Sequence, residues 1–268
     1  MLIPIILTLN AIILLFVILL CWGYSTRIKD VSFIDAVWPM GMVVMTFSSW
    51  FHSYNQDYFA IAIYMLTAIW GLRLGWHLFT RWREFGEDPR YTKIMAHSME
   101  SKGWSWNKTA LLKVFLLQAP LLYIVCLPAQ IAIIAGNSQS GSSIFAILGI
   151  IIALIGLGFE VVGDAQLKAF RANPDNKGKV LNSGLWRYTR HPNYFGDACF
   201  WWGIWVAQFA LTTPMLALAT IIGPIFLNFT LVKWSGAALL ERGMAKTRPG
   251  YDEYIAKTSR FFPLPPKK

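Results

Sequence analysis

The sequence predicts an all-α, polytopic integral membrane protein of about seven transmembrane helices, with the N-terminus out and the C-terminus cytoplasmic. Three observations predict it. Only 14% of the residues are charged and 56% are hydrophobic, whereas a soluble domain carries about a quarter charged residues. Seven apolar stretches of about 17–25 residues are each long enough to cross a bilayer core of about 30 Å as a helix. Lys and Arg, whose excess over Asp and Glu gives a formal net charge of +10, gather on alternate connections.

The stretches run Leu2–Trp22, Ile34–Phe51, Tyr58–Phe79, Ala110–Ala135, Ser143–Gly163, Phe195–Leu211 and Pro214–Trp234. The first has no basic residue before it and no small-residue cleavage site after it, so it reads as a retained helix. The sixth is short and polar at its start. The connections 52–57, 136–142 and 212–213 hold no Lys or Arg, whereas 23–33, 81–109, 164–194 and the tail after 234 hold 21 of the 24. Such a one-sided distribution fits the positive-inside rule. It also accounts for the net charge without a nucleic-acid partner. An integral protein of a bacterial inner membrane is the expectation, with residues 1–268 forming one membrane domain. Trp22, Trp50, Trp70 and Trp82 suit interfacial belts. Cys21, Cys126 and Cys199 lie in apolar spans without metal-ligand spacing. "GLGFEVVG" at 156–163 approaches a dinucleotide fingerprint but lacks the strand that such a motif requires. Its glycines instead suit close helix packing.

Ionisable residues inside spans are costly and point to function. Asp35 opens the second span, and Arg73 and His77 share one face of the third at i, i+4. Glu160 and Asp164 end the fifth span at the same spacing, with Lys168 and Arg171 beyond. Asn193, Tyr194 and Asp197 open the sixth, and Lys233 and Glu241 close the seventh. All fall toward the cytoplasmic end, whereas the outer half of the helices has only Asn10, Gln130 and Gln208 as strongly polar side chains. Asp35 and Arg73 read equally as an ion pair locking two helices or as part of a site. His77 reads as a rim residue or a proton donor, and Arg81 and Arg83 as snorkelling anchors.

Residues 184–197, "GLWRYTRHPNYFGD", crowd hydrogen-bonding groups against the apolar run that follows. Gly184 and Gly196 bracket the stretch, Pro192 starts a helix, and helix N-termini favour anions. Lys168, Arg171, Lys177, Lys179, Arg187 and Arg190 suit several phosphates. Glu160, Asp164, Asn193 and Asp197 offer partners for ribose hydroxyls and a carboxamide. A phosphorylated dinucleotide, or another nucleoside-bearing cofactor, matches that mixture.

With "FEVVGDAQLKAFR" at 159–171 and "RPGYDEYIAKTSRFFPLPP" at 248–266, this stretch resembles the steroid 5α-reductase family, in particular its bacterial branch sharing the C-terminal domain (DUF1295-like). The resemblance is strongest from 145 to 265. It implies a cofactor-binding region there and an NADPH-dependent oxidoreductase that passes hydride to the β-carbon of a hydrophobic enone, steroid-like or other, entering from the bilayer. Carried onto this chain, Asp164, Arg171, Asn193 and Tyr194 hold the cofactor, and Asp197 stands where steroid reductases usually carry Glu. Glu160, Lys168, Arg187, Tyr188, Arg190, His191 and Glu241 complete the candidate set. Asp35, protonated through burial, is the nearest match to the substrate-polarising acid. The family's tyrosine in the third span has no clear match, and Arg73 or His77 stands in for it. S-adenosylmethionine-dependent membrane methyltransferases of isoprenylcysteine or phospholipid carry a similar "RHPNY" box and a C-terminal Glu, so methyl transfer is the alternative. A transporter would call for internal repeats, and none is visible. Membrane lipids are the other expected partners.

The charge pattern predicts that a cysteine placed at Ser140 reacts with impermeant thiol reagents from outside, and one at Asn182 only from the cytoplasm. The same sidedness for both would rule out the seven-span topology.

Overall fold

A computed structural model describes residues 2–136, 142–234, 241, 243–244 and 247–267; Ser140, the outer labelling position, lies outside them. Among the described residues every regular element is helical. Five helical runs are long and apolar enough to cross a membrane: Leu2–Ile28, Tyr58–Phe85, Trp106–Ala135, Ser143–Ala172 and Pro214–Lys233. This is an integral membrane protein. Ile34–Ser53 and Pro192–Gln208, at the expected second and sixth spans, are helical too but are not among the five.

The chain forms two compact units, Met1–Ser143 with Gln208–Thr220, and Ile144–Ala207 with Ile221–Lys268. In the first, α1 is Leu2–Ile28, α2 Ile34–Ser53, α3 Tyr58–Phe85, α4 Pro89–Lys102 and α5 Trp106–Ala135. Helix α2 packs against α1, α3 and α5. That central position explains its weaker apolarity: Thr46, Ser48 and Ser49 are buried against protein, so the helix has no need of a wholly apolar surface. Gly71 of α3 lets the two backbones approach, since a Cβ there would meet the Pro39 carbonyl oxygen at 2.8 Å. Asn10, Ser49 and Gln130 are fully buried, and the Asn10 amide donates to Ser49 Oγ and Gln130 Oε1, both at 2.8 Å. Asn10, Ser49 and Gln130 thus pin α1, α2 and α5 together. Trp70 is 2% exposed, so it is a packing residue and not a belt residue.

Helix α4 was not expected in the basic connection 81–109. Its signals are local: Asp88 caps it through the Arg90 amide, Pro89 occupies its first turn, and Gly103, at φ 62°, ends it in the left-handed region.

In the second unit, α6 is Ser143–Ala172, which enters it at Ile144, and α7 is Pro192–Gln208. The run Pro214–Lys233 pauses at Thr220, giving α8 (Pro214–Ala219) in the first unit and α9 (Ile222–Phe229) in the second. Helix α10 is Tyr251–Lys257. Glycines recur every seven residues on both facing helices, at 149, 156 and 163 on α6 and at 196 and 203 on α7. A Cβ at Gly156 would lie 2.5 Å from the Gly196 carbonyl oxygen and the Phe200 amide. Two glycines of the false dinucleotide motif, Gly156 and Gly163, therefore belong to a packing seam, while nothing packs against Gly158.

Because backbone and not a flexible side chain opposes any added atom, Gly156→Val should cost at least the 1–3 kcal/mol typical of overpacking. A melting temperature in detergent equal to that of the wild type would contradict the seam.

Candidate functional site

The second unit brings most of the candidate cofactor residues together around the start of α7. Trp186 anchors the preceding turn by donating Nε1 to the Gly163 carbonyl of α6 (3.0 Å), and the Tyr254 hydroxyl donates to the Trp186 carbonyl. The C-terminal segment then lies along the turn. The Arg190 amide donates to Ser259 O (2.9 Å), the Leu264 amide to Tyr188 O (3.0 Å) and the Thr189 hydroxyl to Phe261 O (2.9 Å).

At the centre is Glu241. Its Oε1 accepts Arg190 Nε at 2.8 Å and His191 Nε2 at 3.0 Å, and its Oε2 lies 3.4 Å from Arg260 Nε. A carboxylate only accepts, so His191 carries its proton on Nε2. Burial alone would raise the Glu241 pKa, but the hydrogen bonds and charges of His191 and Arg190 prevail and hold it at about 2. Arg190 Nη1 also donates to the carbonyls of Ile255 (3.1 Å) and Thr258 (2.6 Å). Arg190 and His191, expected to meet phosphates, are buried at 7% and 3% exposure and are engaged by the chain itself. Burial and the Glu241 charge raise Tyr251 to about 12, so it stays a neutral phenol.

Beside this clamp, Asn193 Nδ2 donates to Asp164 Oδ1 (3.1 Å), tying α7 to α6. Glu160 and Asp164 are buried one turn apart on α6. The His191 and Tyr194 rings stack at 5.3 Å and 7°, and Asp197 lies one turn further along α7. Lys168, Arg171, Arg187 and Tyr188 are exposed at the ends of α6 and in the turn.

Asp35, Arg73 and His77 belong to the first unit. Arg73 and His77 lie half-buried on α3. Asp35 makes its ion pairs with Arg90 Nη2 (3.0 Å) and Arg81 Nη2 (3.7 Å), not with Arg73. Its Oδ1 accepts the Tyr91 hydroxyl at 2.6 Å. In place of Arg73, the partner expected of it, Asp35 thus meets Arg90, Arg81 and Tyr91. The carboxylate is a quarter exposed, accepts from the Arg90 guanidinium and the Tyr91 hydroxyl, and faces Arg81 as an ion pair, with Tyr91 the donor in its pair. Burial, and then the Asp35 charge and hydrogen bond, push Tyr91 well above the usual phenol range. Asp88 grips Arg90 through Nε (3.0 Å) and Nη2 (2.8 Å), while Gln118 Nε2 reaches the Tyr91 oxygen at 3.4 Å. Arg81 is thus more than a snorkelling anchor. Tyr91 was missed because it lies in a connection that reads as a basic loop; the Asp-Pro start of α4 was the available signal.

The chain matches the family described as protein of unknown function (DUF1295) over residues 21–258, and it belongs to that family, the steroid 5α-reductase-like domain family. A Schizosaccharomyces pombe protein described as uncharacterized (C594.04c) is 23% identical over 276 residues, covering 90% of this chain and 75% of its own length. An Ustilaginoidea virens protein described as "Probable O-methyltransferase ustE" is 28% identical over 142 residues, 53% of this chain and 44% of its own length. No solved structure matches significantly.

The Glu241 clamp predicts an acid-sensitive fold. Its folded pKa of about 2 lies below the ordinary 4.5, so its contribution is complete above about pH 4.5 and is lost as pH falls toward 2. At 1.36 kcal/mol per unit this amounts to about 3 kcal/mol. Glu241→Gln should lower stability by about that amount at pH 7 and flatten the loss on acidification. A variant melting like the wild type at both pH 7 and pH 3 would show the clamp to be energetically idle.

Proposed function

We propose that this membrane enzyme is an NADPH-dependent reductase of a hydrophobic α,β-unsaturated carbonyl. Tyr91 carries the proposal. A neutral phenol is held against a carboxylate whose charge is matched by arginines, which is the hydrogen-bond donor that polarising an enone oxygen requires. The resemblance calls for a carboxylic acid and a tyrosine, and Asp35 with Tyr91 supplies the two, the tyrosine from α4 instead of the third span. As enolate charge develops on the substrate oxygen, the Tyr91 hydroxyl turns from Asp35 toward it, and Arg90 and Arg81 keep the released carboxylate compensated. Such a donor acts most strongly where charge appears in the transition state.

Bound NADPH would supply the hydride. The second unit's groups fit such a cofactor in chemistry: exposed Lys168, Arg171 and Arg187 suit phosphates, and the Asn193–Asp164 pair, with Asp197 and Glu160, offers the donors and acceptors that a carboxamide and ribose require. Arg190, His191 and Glu241 hold the turn before α7 in shape and so help to position that set. The proposal includes seven spans, with α2 and α7 as the second and sixth, and a cytoplasmic cofactor.

Methyl transfer from S-adenosylmethionine is the second reading, favoured by the likeness to the described O-methyltransferase. Against it, Glu241, the residue it would use, is already engaged by two arginines and a histidine of its own chain.

Native mass spectrometry of the detergent-purified protein should find a co-purifying NADP(H) mass. S-adenosylmethionine in its place would overturn the reductase. With an enone that supports NADPH oxidation, Tyr91→Phe should slow turnover by about 10²–10³-fold while folding and NADPH affinity are unchanged. Full activity in that variant would remove Tyr91 from the reaction. Arg171→Ala should weaken NADPH more than NADH, and equal losses would place Arg171 away from the 2′-phosphate.

A further inference from the structure

Where α4 ends and α5 begins, three lysines converge on one indole. The ammonium groups of Lys102, Lys108 and Lys113 lie 4.6, 5.0 and 6.0 Å from the centre of the Trp104 ring. A fourth, Lys29, lies 4.7 Å over the neighbouring Trp106 and donates to the Asn107 side-chain oxygen. Among the described residues no carboxylate stands within 4.0 Å of any of the four. The positions outside the described residues contain no Asp or Glu, so no side-chain acid there could neutralise the group.

Like charges at such spacing repel, and an aromatic face attracts each cation but has no net charge to offset them. Lys113, by its side-chain contact and then by its charge, lowers the proton affinity of Lys102. Everywhere else in the first unit where arginines cluster, at Asp35 and Asp88, carboxylates accompany them. Here the counter-charge must come from outside the chain.

Position identifies its source. The lysines flank the first turns of α5, an apolar helix long enough to cross a membrane, and half-buried Trp104 and Trp106 stand where indoles settle at a membrane–water boundary. One turn beyond Lys113 on its own face is Leu117, which is 41% exposed. A phosphate at the ammonium groups with hydrocarbon along Leu117 describes a phospholipid lying beside the helix. We propose that the Lys102–Lys108–Lys113 cluster over Trp104 is a binding site for the phosphate of an anionic phospholipid headgroup.

The test is native mass spectrometry of the intact protein titrated with phosphatidylglycerol, phosphatidylcholine or inorganic phosphate. Phosphatidylglycerol should be retained in clear preference to phosphatidylcholine. A lysine near an anionic lipid surface is worth about a fivefold change in binding, so Lys102→Gln, on a fully exposed side chain that the fold does not need, should weaken retention by about that factor. The combined Lys102, Lys108 and Lys113→Gln variant should abolish the preference, whereas Arg at the same three positions should keep it. A control with Lys177, Lys179 and Lys257→Gln removes the same charge elsewhere and should leave it intact. Equal retention of the two lipids, or an equal loss in the control, would overturn the proposal. Inorganic phosphate displacing the lipid at equal concentration would overturn the lipid as source.

Discussion

The second unit depends on one carboxylate meeting two arginines and a histidine. Glu241 accepts Arg190 and His191 on one oxygen and faces Arg260 with the other. Without it, the buried Arg190 guanidinium would lose its counter-charge and the neighbouring His191 N–H its acceptor, at a cost of several kcal/mol. With it, Arg190 is oriented so that its remaining donors reach the Ile255 and Thr258 carbonyls. The segment beyond α10 has no regular structure, so its backbone groups need partners elsewhere. Those partners are in the turn that Glu241 fixes, and the turn in turn sets where Pro192 starts α7 and where Asn193 meets Asp164. Removing one carboxylate would loosen the C-terminal segment and the start of α7 together.

Much of this was legible in the sequence because the membrane simplifies what residues must do. Lipid-facing helices have to be apolar along their length, so α1, α3, α5 and α6 announced themselves, as did the run Pro214–Lys233. The glycines at 156 and 163 could be recognised as packing positions because no strand precedes them. Helix α2 was found by its apolar residues, but not its central position, since burial by protein relaxes the demand for apolarity that the span criterion measures. Trp70 misled for a related reason: an indole is equally at home at an interface and in a packed core.

The polar groups were found more readily than their partners. Asp35 stood out as a charge in a span, but its partners Arg90 and Tyr91 are brought to it by α4, a helix whose composition is that of a basic loop, and Arg81 by the end of α3. Spacing along one helix reveals which residues share a face. It says nothing of what a helix beyond the next turn will deliver, which is why the sequence suggests Arg73 as a partner for Asp35 and gives no sign of Tyr91. In the second unit the cluster at 184–197 was visible as a cluster, yet sequence could not separate groups that hold the turn from groups turned outward. Glu241, fifty residues away from His191, decides that division.

That division bears on why one box of residues accompanies two kinds of chemistry. Arg190 and His191 are buried and spent on the chain's own C-terminal segment, so "RHPNY" here is first a way of fastening a tail to a helix start. A fastening of that kind favours no reaction. A protein described as an O-methyltransferase can share similarity over part of this chain without sharing its chemistry, because the common element would be the frame. The chemical difference has to lie in side chains that the frame leaves facing a ligand, and in a donor suited to the bond being made. Methyl transfer needs a nucleophile and an electrophilic methyl group, with no call for a carbonyl-polarising acid. Enone reduction needs a hydrogen-bond donor that remains protonated, and a phenol raised well above its usual range by burial and by Asp35 remains so at any physiological pH. The features of the first unit therefore weigh more in choosing between the two chemistries than the motif that first drew attention.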